Sequence, residues 1–458
     1  MTSFFLGKVR QVYWAGLYIP QQLYVCSRWL YQRYLVHYPV FRFVRHAPRR
    51  VLNLCPRIRA KNSHLLNSRR YQVCSRTEFI EGKGLDRVVF HSARTLPIDG
   101  PRFIGDYTFT PIGNARVDLE QPPLDAVEYH KATVMGGTNY TIIDGFIIQP
   151  DMCDLRRDVC PAELNGIAQV DVGARTISLH IGSVDHVDEA ISLLGCCTGN
   201  YAHWLTEILP KLLFVDSVER FDGYPLLVDQ WIHPNFIASI ELLKTQDRQL
   251  IRVPRWTSVR VAKLVDVSAP AYVPPEHRTF YERRLLAYPV PDDFPMSCIA
   301  LRLLGERARQ KLGLGPPRQR LKIFLRRKRG GTGNNRCIRN TSEVEQMAEK
   351  HGYTLLDLAA LSFNEQVTLF SQVTHIISPL GAALSNLIFS QQGAHVIGLS
   401  PYYDKANYYY FSNLMGALGH ELHYVLGEQV EHDKAHPLHK DYVVSIAALE
   451  MALKALEA

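Results

Sequence analysis

A chain of 458 residues suggests about three domains, and 47% apolar with 21% charged residues is the make-up of an ordinary globular protein. That composition excludes a low-complexity or disordered chain, and no internal repeat is found. Nine scattered cysteines, an odd number with no C-x-x-C pair, leave a zinc site unsupported and point to reduced thiols in a cytoplasmic protein rather than a disulfide scaffold.

The net charge of +8 is uneven, because no Asp or Glu precedes Glu78. Lys8, Arg10, Arg28, Arg33, Arg42, Arg45, Arg49 and Arg50 are among the cations of this stretch. Residues 1–77 therefore form a basic appendage that wants an anionic partner. Residues 11–27 carry no charge, but Pro20, Gln21 and Gln22 interrupt them, and the run falls short of the ~20 residues a spanning helix needs. No small-x-small cleavage site follows it. Trp29, Tyr31, Tyr34, Tyr38, Phe41 and Phe43 then interleave with arginines. That pattern suits peripheral contact at the inner face of a membrane. It equally suits a helix packed on the body with its arginines solvated. Nucleic acid is not the expected partner.

Residues 78–300 read as one mixed lobe, with short strands over 140–148 and 176–181. The proline-bearing stretch 270–295 suits a crossing or linker. Adjacent Cys196 and Cys197 lie in an apolar run and are expected to pack in a core. From residue 321 the pattern becomes regular. Residues 321–327 read as a buried strand, followed by a loop rich in Gly, Asn and Arg over 329–336. Asn340-Thr-Ser-Glu343 has capping-box spacing and opens a helix that glycine ends at His351-Gly352. Residues 353–358 are the next strand. Ser362-Phe-Asn-Glu365 is a second capping box, starting a helix through Gln372. Residues 374–378 are a strand that turns through Pro379-Leu-Gly381 into a helix over 382–389. Residues 395–399 are a fourth strand. This alternation predicts a doubly wound parallel sheet in a second lobe, 301–425, with 426–458 as a tail carrying a helix.

Such a sheet binds ligands outside the carboxyl ends of its strands. Two loops there suit an anion: the arginine loop, and Ser378-Pro-Leu-Gly-Ala-Ala383, where a helix starts on small residues. Gly381 would let the backbone approach a phosphate closely, and free amides at the helix start would face it. Neither loop is a Walker A or a G-x-G-x-x-G. A glycine turn of this kind is more often simply a turn.

Two blocks carry a resemblance. Ser362-Phe-Asn-Glu-Gln366, Leu369-Phe370 and Ile376-Ile-Ser-Pro-Leu-Gly-Ala-Ala-Leu384 with Asn386 resemble the donor-domain signature of glycosyltransferase family 61. Gly199-Asn-Tyr-Ala-His-Trp-Leu205, with Glu207 and Pro210, resembles that family's G-N-[YF]-x-H-W-L block. The resemblance runs from about 195 to 425. It implies an α/β, GT-B-like architecture of two Rossmann-type lobes, with the basic appendage beside them. It also implies an inverting transfer from a nucleotide-sugar donor to a glycan or lipid-linked acceptor, without metal or cofactor. Two departures stand out. Leu380 occupies the place where the family commonly has histidine, and the arginine loop is longer than the usual S-R-x-x-x-x-R run.

An inverting transfer needs a base for the acceptor hydroxyl and donors for the leaving diphosphate. His203 is the candidate base, with Glu207 four residues on to orient it. The competing role is a structural histidine beside Trp204. Arg326 or Arg327 and Arg336 match the diphosphate-binding arginines, since guanidinium bonds phosphate bidentately. Their competing role is a solvated loop. Ser378, Gly381, Ala382 and Asn386 complete the donor set, and Glu365 is a ribose candidate already explained by its capping box. The aromatic run Tyr402, Tyr403, Tyr408, Tyr409, Tyr410, Phe411 suits stacking on sugar or base, or core packing. The expected function is an inverting hexosyl- or pentosyltransferase of surface or capsular polysaccharide synthesis. The alternative is a non-catalytic glycan-binding or scaffolding homologue, which Leu380 keeps open.

Overall fold

The computed structural model describes residues 68–107, 115–182, 184–275, 289–316, 319–327, 336–403, 406–430 and 440–457. Most of the basic appendage and all of the arginine loop before Arg336 lie outside the described residues. Residues 68–329 and 334–458 form one compact unit of mixed α/β structure.

The second sheet is the regular one. Its strands Thr354–Leu356, Leu321–Leu325, Val373–Pro379, His395–Pro401 and Glu421–Gln429 lie side by side and parallel. Tyr442–Val444 closes the edge antiparallel to Glu421–Gln429. The stretch read as a C-terminal tail thus adds a strand to this sheet, followed by the helix Ile446–Glu457. Chain order steps outward from Leu321–Leu325 in both directions, so the switch point lies between that strand and Val373–Pro379.

Local signals set most of these boundaries. The Ser362 box forms as the spacing predicts: Glu365 accepts from the Ser362 amide at 2.8 Å and starts the helix Phe363–Phe370. Gly352, at φ 79°, sits just past the end of Thr341–Lys350, where the Tyr353 amide bonds back to Ala348 at 3.0 Å. One expectation needs correction. Asn340 does not cap its helix; its side chain bonds the Val444 backbone on both sides, at 2.9 and 3.0 Å. Tertiary pairing outcompeted the local cap. The helix expected over 382–389 forms with those bounds, as a 3-10 helix.

The first sheet is mixed and differs from a Rossmann-type lobe. Its longest strands, Leu124–Met135 and Ser258–Val267, pair antiparallel at its centre, and Val184–Ser192 runs parallel to the latter. Residues 69–75, read as the end of the appendage, form the strand Arg69–Ser75 within this sheet, between Phe146–Gln149 and Thr176–Leu179. The largest apolar core draws on both sheets: Ile191, Leu226 and Val265 from the first meet Ile323, Ile376 and Val396 from the second. Each such buried side chain contributes about 1.5–3 kcal/mol. No described helix is long and apolar enough to cross a membrane.

Candidate functional site

The Gly199–Leu205 block enters a helix whose middle is widened. Asn200 caps its start by accepting from the Ala202 amide at 2.9 Å. Tyr201–His203 is α-helical, Trp204–Ile208 is π-helical, and Pro210–Val215 is α-helical again. Pro210 has no N–H for the carbonyl four residues back and crowds it, which favours the wider spacing. The Leu209 amide accordingly bonds Trp204, five residues back, at 2.8 Å.

This helix sets His203 and Glu207 against each other. The Nδ1 to Oε1 separation is 2.8 Å, with both side chains nearly buried. Nδ1 has no well-aligned hydrogen bond, so the contact is best described as an ion pair. The same Oε1 accepts the Val273 amide at 3.0 Å, which pins the carboxylate. Burial is the largest single influence and pushes the imidazole's pKa down, but the charge and close contact of Glu207, with a smaller contribution from Cys196, together outweigh it and the net direction is up. Behind the helix, Trp204 is sealed and donates to Ser239 Oγ at 3.0 Å. Cys196, whose Sγ is 3.8 Å from that of Cys197, lies near His203, and its contact with Cys197 and its burial push its thiol pKa well up.

The second half of the site is a cavity of about 190 Å³ at the carboxyl ends of the second sheet. Arg327, Arg336 and Leu380 line it, with Tyr403, Tyr410, Phe411 and Tyr442 among its aromatic walls. Arg336 has a backbone φ of 32°, unusual for a side-chain-bearing residue. Its neighbours hold it there: the Cys337 amide donates to Asp441 at 2.8 Å, and the Arg339 amide to the Tyr442 carbonyl at 2.8 Å. Its Nε is buried and has no hydrogen-bond partner among the described residues. Burial, with repulsion from Arg327, lowers its pKa to about 10. Burial pushes Tyr403 up to about 12 despite Arg336 beside it. Tyr410 lines this cavity and also lies within reach of the Glu207 charge, which links the two halves.

The family model described as Glycosyltransferase 61 matches residues 201–397. That match, over residues 201–397, supports assignment to glycosyltransferase family 61. No curated protein matches the chain.

The matched segment contains the catalytic and donor-binding candidates picked out by sequence, while the aromatic run Tyr402–Phe411 lies beyond it, and the structure distributes the candidates unequally. Arg327 and Arg336 share the cavity, and Arg327 Nη1 donates to the Leu380 carbonyl at 3.2 Å. Arg326 instead makes a two-point pair with Glu345, at 2.8 and 2.7 Å. The Glu365 carboxylate is taken up by the Ser362 amide and hydroxyl, at 2.8 and 2.7 Å. Ser378 is buried, its Oγ donating to the Pro379 carbonyl at 2.8 Å. Asn386 is sealed: its Oδ1 accepts from Tyr201 at 2.7 Å, and its Nδ2 donates to Gln366 at 3.1 Å and Ala383 at 3.2 Å. It therefore ties the His203 helix to the second sheet.

Gly381 has φ 175°, extended backbone that any residue adopts. What its missing side chain spares is space, since a Cβ there would lie 3.3 Å from Arg327 Nη1. Ala382 follows it as the first residue of the 3-10 helix. Leu380, at the family's histidine position, packs onto Gly398, where a Cβ would meet its Cδ2 at 2.8 Å. Sequence reasoning had picked out Tyr403 in its aromatic run but missed the Val273 amide and Tyr442. Tyr442 lies outside the matched segment and about a hundred residues from Arg336, and no local signal marks it. No group of three or more His, Cys, Asp or Glu side chains that could hold a metal occurs among the described residues.

Proposed function

We propose that the chain is an inverting glycosyltransferase that moves a hexosyl or pentosyl group from a nucleotide-sugar donor to a glycan or lipid-linked acceptor. On this reading the donor diphosphate sits between Arg327 and Arg336, beside Gly381, and the second sheet is the nucleotide-binding half of a GT-B-like arrangement. The observation that carries it is Arg336: a buried guanidinium with an unpartnered Nε, beside a second arginine, in a cavity at the strand ends next to the switch point. Confining two cations together is costly, and a bound diphosphate would offset that cost with bidentate bonds.

His203 is the base in this account. Glu207 raises its proton affinity and would stabilise the imidazolium formed when the acceptor hydroxyl is deprotonated. The leaving diphosphate gathers its developing charge against the arginines, with no metal step. Surface or capsular polysaccharide is the proposed product class, and the inner membrane face the proposed place of work. Titration with a panel of nucleoside diphosphates and nucleotide sugars tests this. Binding that Arg336→Ala weakens at least about tenfold, about 1.4 kcal/mol, supports it, and equal binding by the variant overturns it. Binding without transfer to any acceptor would favour the non-catalytic alternative, to which the substitution of leucine at 380 lends weight.

A further inference from the structure

Glu207 also borders a second, smaller cavity of about 60 Å³, whose lining includes neither Arg327 nor Arg336. Its lining is unusually polar for its size, with Glu207, Lys211, Asp266, Arg76, Asn139 and Tyr272 among its walls. Such a volume holds a few water molecules, each of which needs two to four polar partners. Lys211 lies one turn beyond Glu207, past the π-helical segment, and both side chains line this cavity.

The charges around Lys211 are already matched without it. Asp266 is held by Arg76 Nε at 2.7 Å, and Asp125 is also paired with Arg76. Glu207 uses Oε1 for both His203 and Val273. The Lys211 ammonium has no hydrogen bond or ion pair within the described residues, although Asp266 and Glu207 attract it and Arg76 repels it. Tyr140 and Tyr272 are the other titratable side chains facing this cavity, while Cys196 and Tyr410 face Glu207 or His203 from the other side. Burial lowers the ammonium's pKa, and this position is an expensive one for a lysine that serves only packing.

The arrangement poses a problem for a base. A buried imidazole beside a single carboxylate is held as the imidazolium, and then it cannot accept a proton. A cation on the far side of that carboxylate divides its field. We propose that Lys211 is a positioning residue that shares the charge of Glu207 with His203 through the water of this cavity and leaves the imidazole free to take a proton. This rests on the reading of His203 as the base, but it can fail separately from it.

The test is an NMR titration of the His203 imidazole in the full-length protein, which needs no substrate. Lys211→Met should move the His203 titration to higher pH, and Lys211→Arg should restore it. In a Glu207→Gln background, Lys211→Met should move it far less. Should Lys211→Met fail to fold, Lys211→Gln provides the same readout. An unchanged or lowered His203 titration in a folded Lys211 variant overturns the proposal. Normal turnover by His203→Ala would instead overturn the base assignment and leave the electrostatic coupling standing.

Discussion

The two sheets differ in what faces their buried arginines. In the first, Arg76 and Arg248 face carboxylates inside the protein, although Arg248 Nη2 has no hydrogen-bond partner and Lys211 has no ion pair among the described residues. Arg76 holds Asp125 and Asp266, and Arg248 pairs with Asp216 at 2.8 Å while donating to the carbonyls of Phe221 and Tyr224 at 2.7 and 3.0 Å. Asp229 is sealed and accepts from the Thr198 hydroxyl and from the Gly137 and Gly195 amides, at 2.8 and 3.3 Å for the amides. In the second sheet, Arg336 is confined beside Arg327 with its Nε unanswered. Matched charge of the first kind organises a fold. Unanswered charge of the second kind marks where a ligand is to be expected. The His203–Glu207 pair sits between these regimes, oriented by its own contacts and with the Glu207 charge reaching Tyr410 on the cavity wall.

The contrast can be broken most strongly at the pair between the two sheets. His203→Ala should lower transfer by about 10²–10⁴-fold with nucleotide binding intact. Because Glu207 raises the imidazole's proton affinity, the acidic limb of the rate profile should lie above the ordinary histidine value of ~6.5. Glu207→Gln should move that limb downward. Normal turnover in His203→Ala would make the residue structural.

On the structural side, Arg248→Met leaves Asp216 buried and unpaired and should cost about 3–5 kcal/mol by denaturant melts. A loss below about 1 kcal/mol would mean that the first sheet's charges are not structural.

A smaller effect concerns pH. Burial raises the pKa of Asp229 to about 6, against an ordinary aspartate near ~3.9 in the unfolded chain. The folded state therefore takes up this proton at higher pH than the unfolded state. Stability relative to Asp229→Asn should rise as pH falls from about 7 to about 4, and be lost again as pH climbs through the folded value. The opposite slope in paired thermal melts would show Asp229 to be an ordinary paired carboxylate.

The second sheet was legible because its information is local. Alternating strands and helices, the Ser362 cap and the Gly352 stop each lie within a few residues of what they control. The Asn340 box shows the limit: identical spacing, but the Val444 backbone, a hundred residues away, competed for the side chain and won. The first sheet was hidden for the same reason. Its central antiparallel pair joins strands more than a hundred residues apart, and no turn signal connects them. Of the site, His203, Glu207, Arg327 and Arg336 were legible from motif and residue type. Asn386 was legible as a position but not as a latch to Tyr201. The cavity's walls come from four separated segments, and Lys211 reads as an unremarkable helix lysine until its chamber is seen.

The most direct test of the central claim is calorimetric titration of wild-type and Arg336→Ala protein with uridine diphosphate, and with other nucleoside diphosphates in turn, beside denaturant melts of both. The account predicts that the variant is as stable as the wild type, or more so, and binds the preferred diphosphate at least about tenfold more weakly. A variant that loses stability and keeps its affinity would place Arg336 among the structural charges and contradict the account.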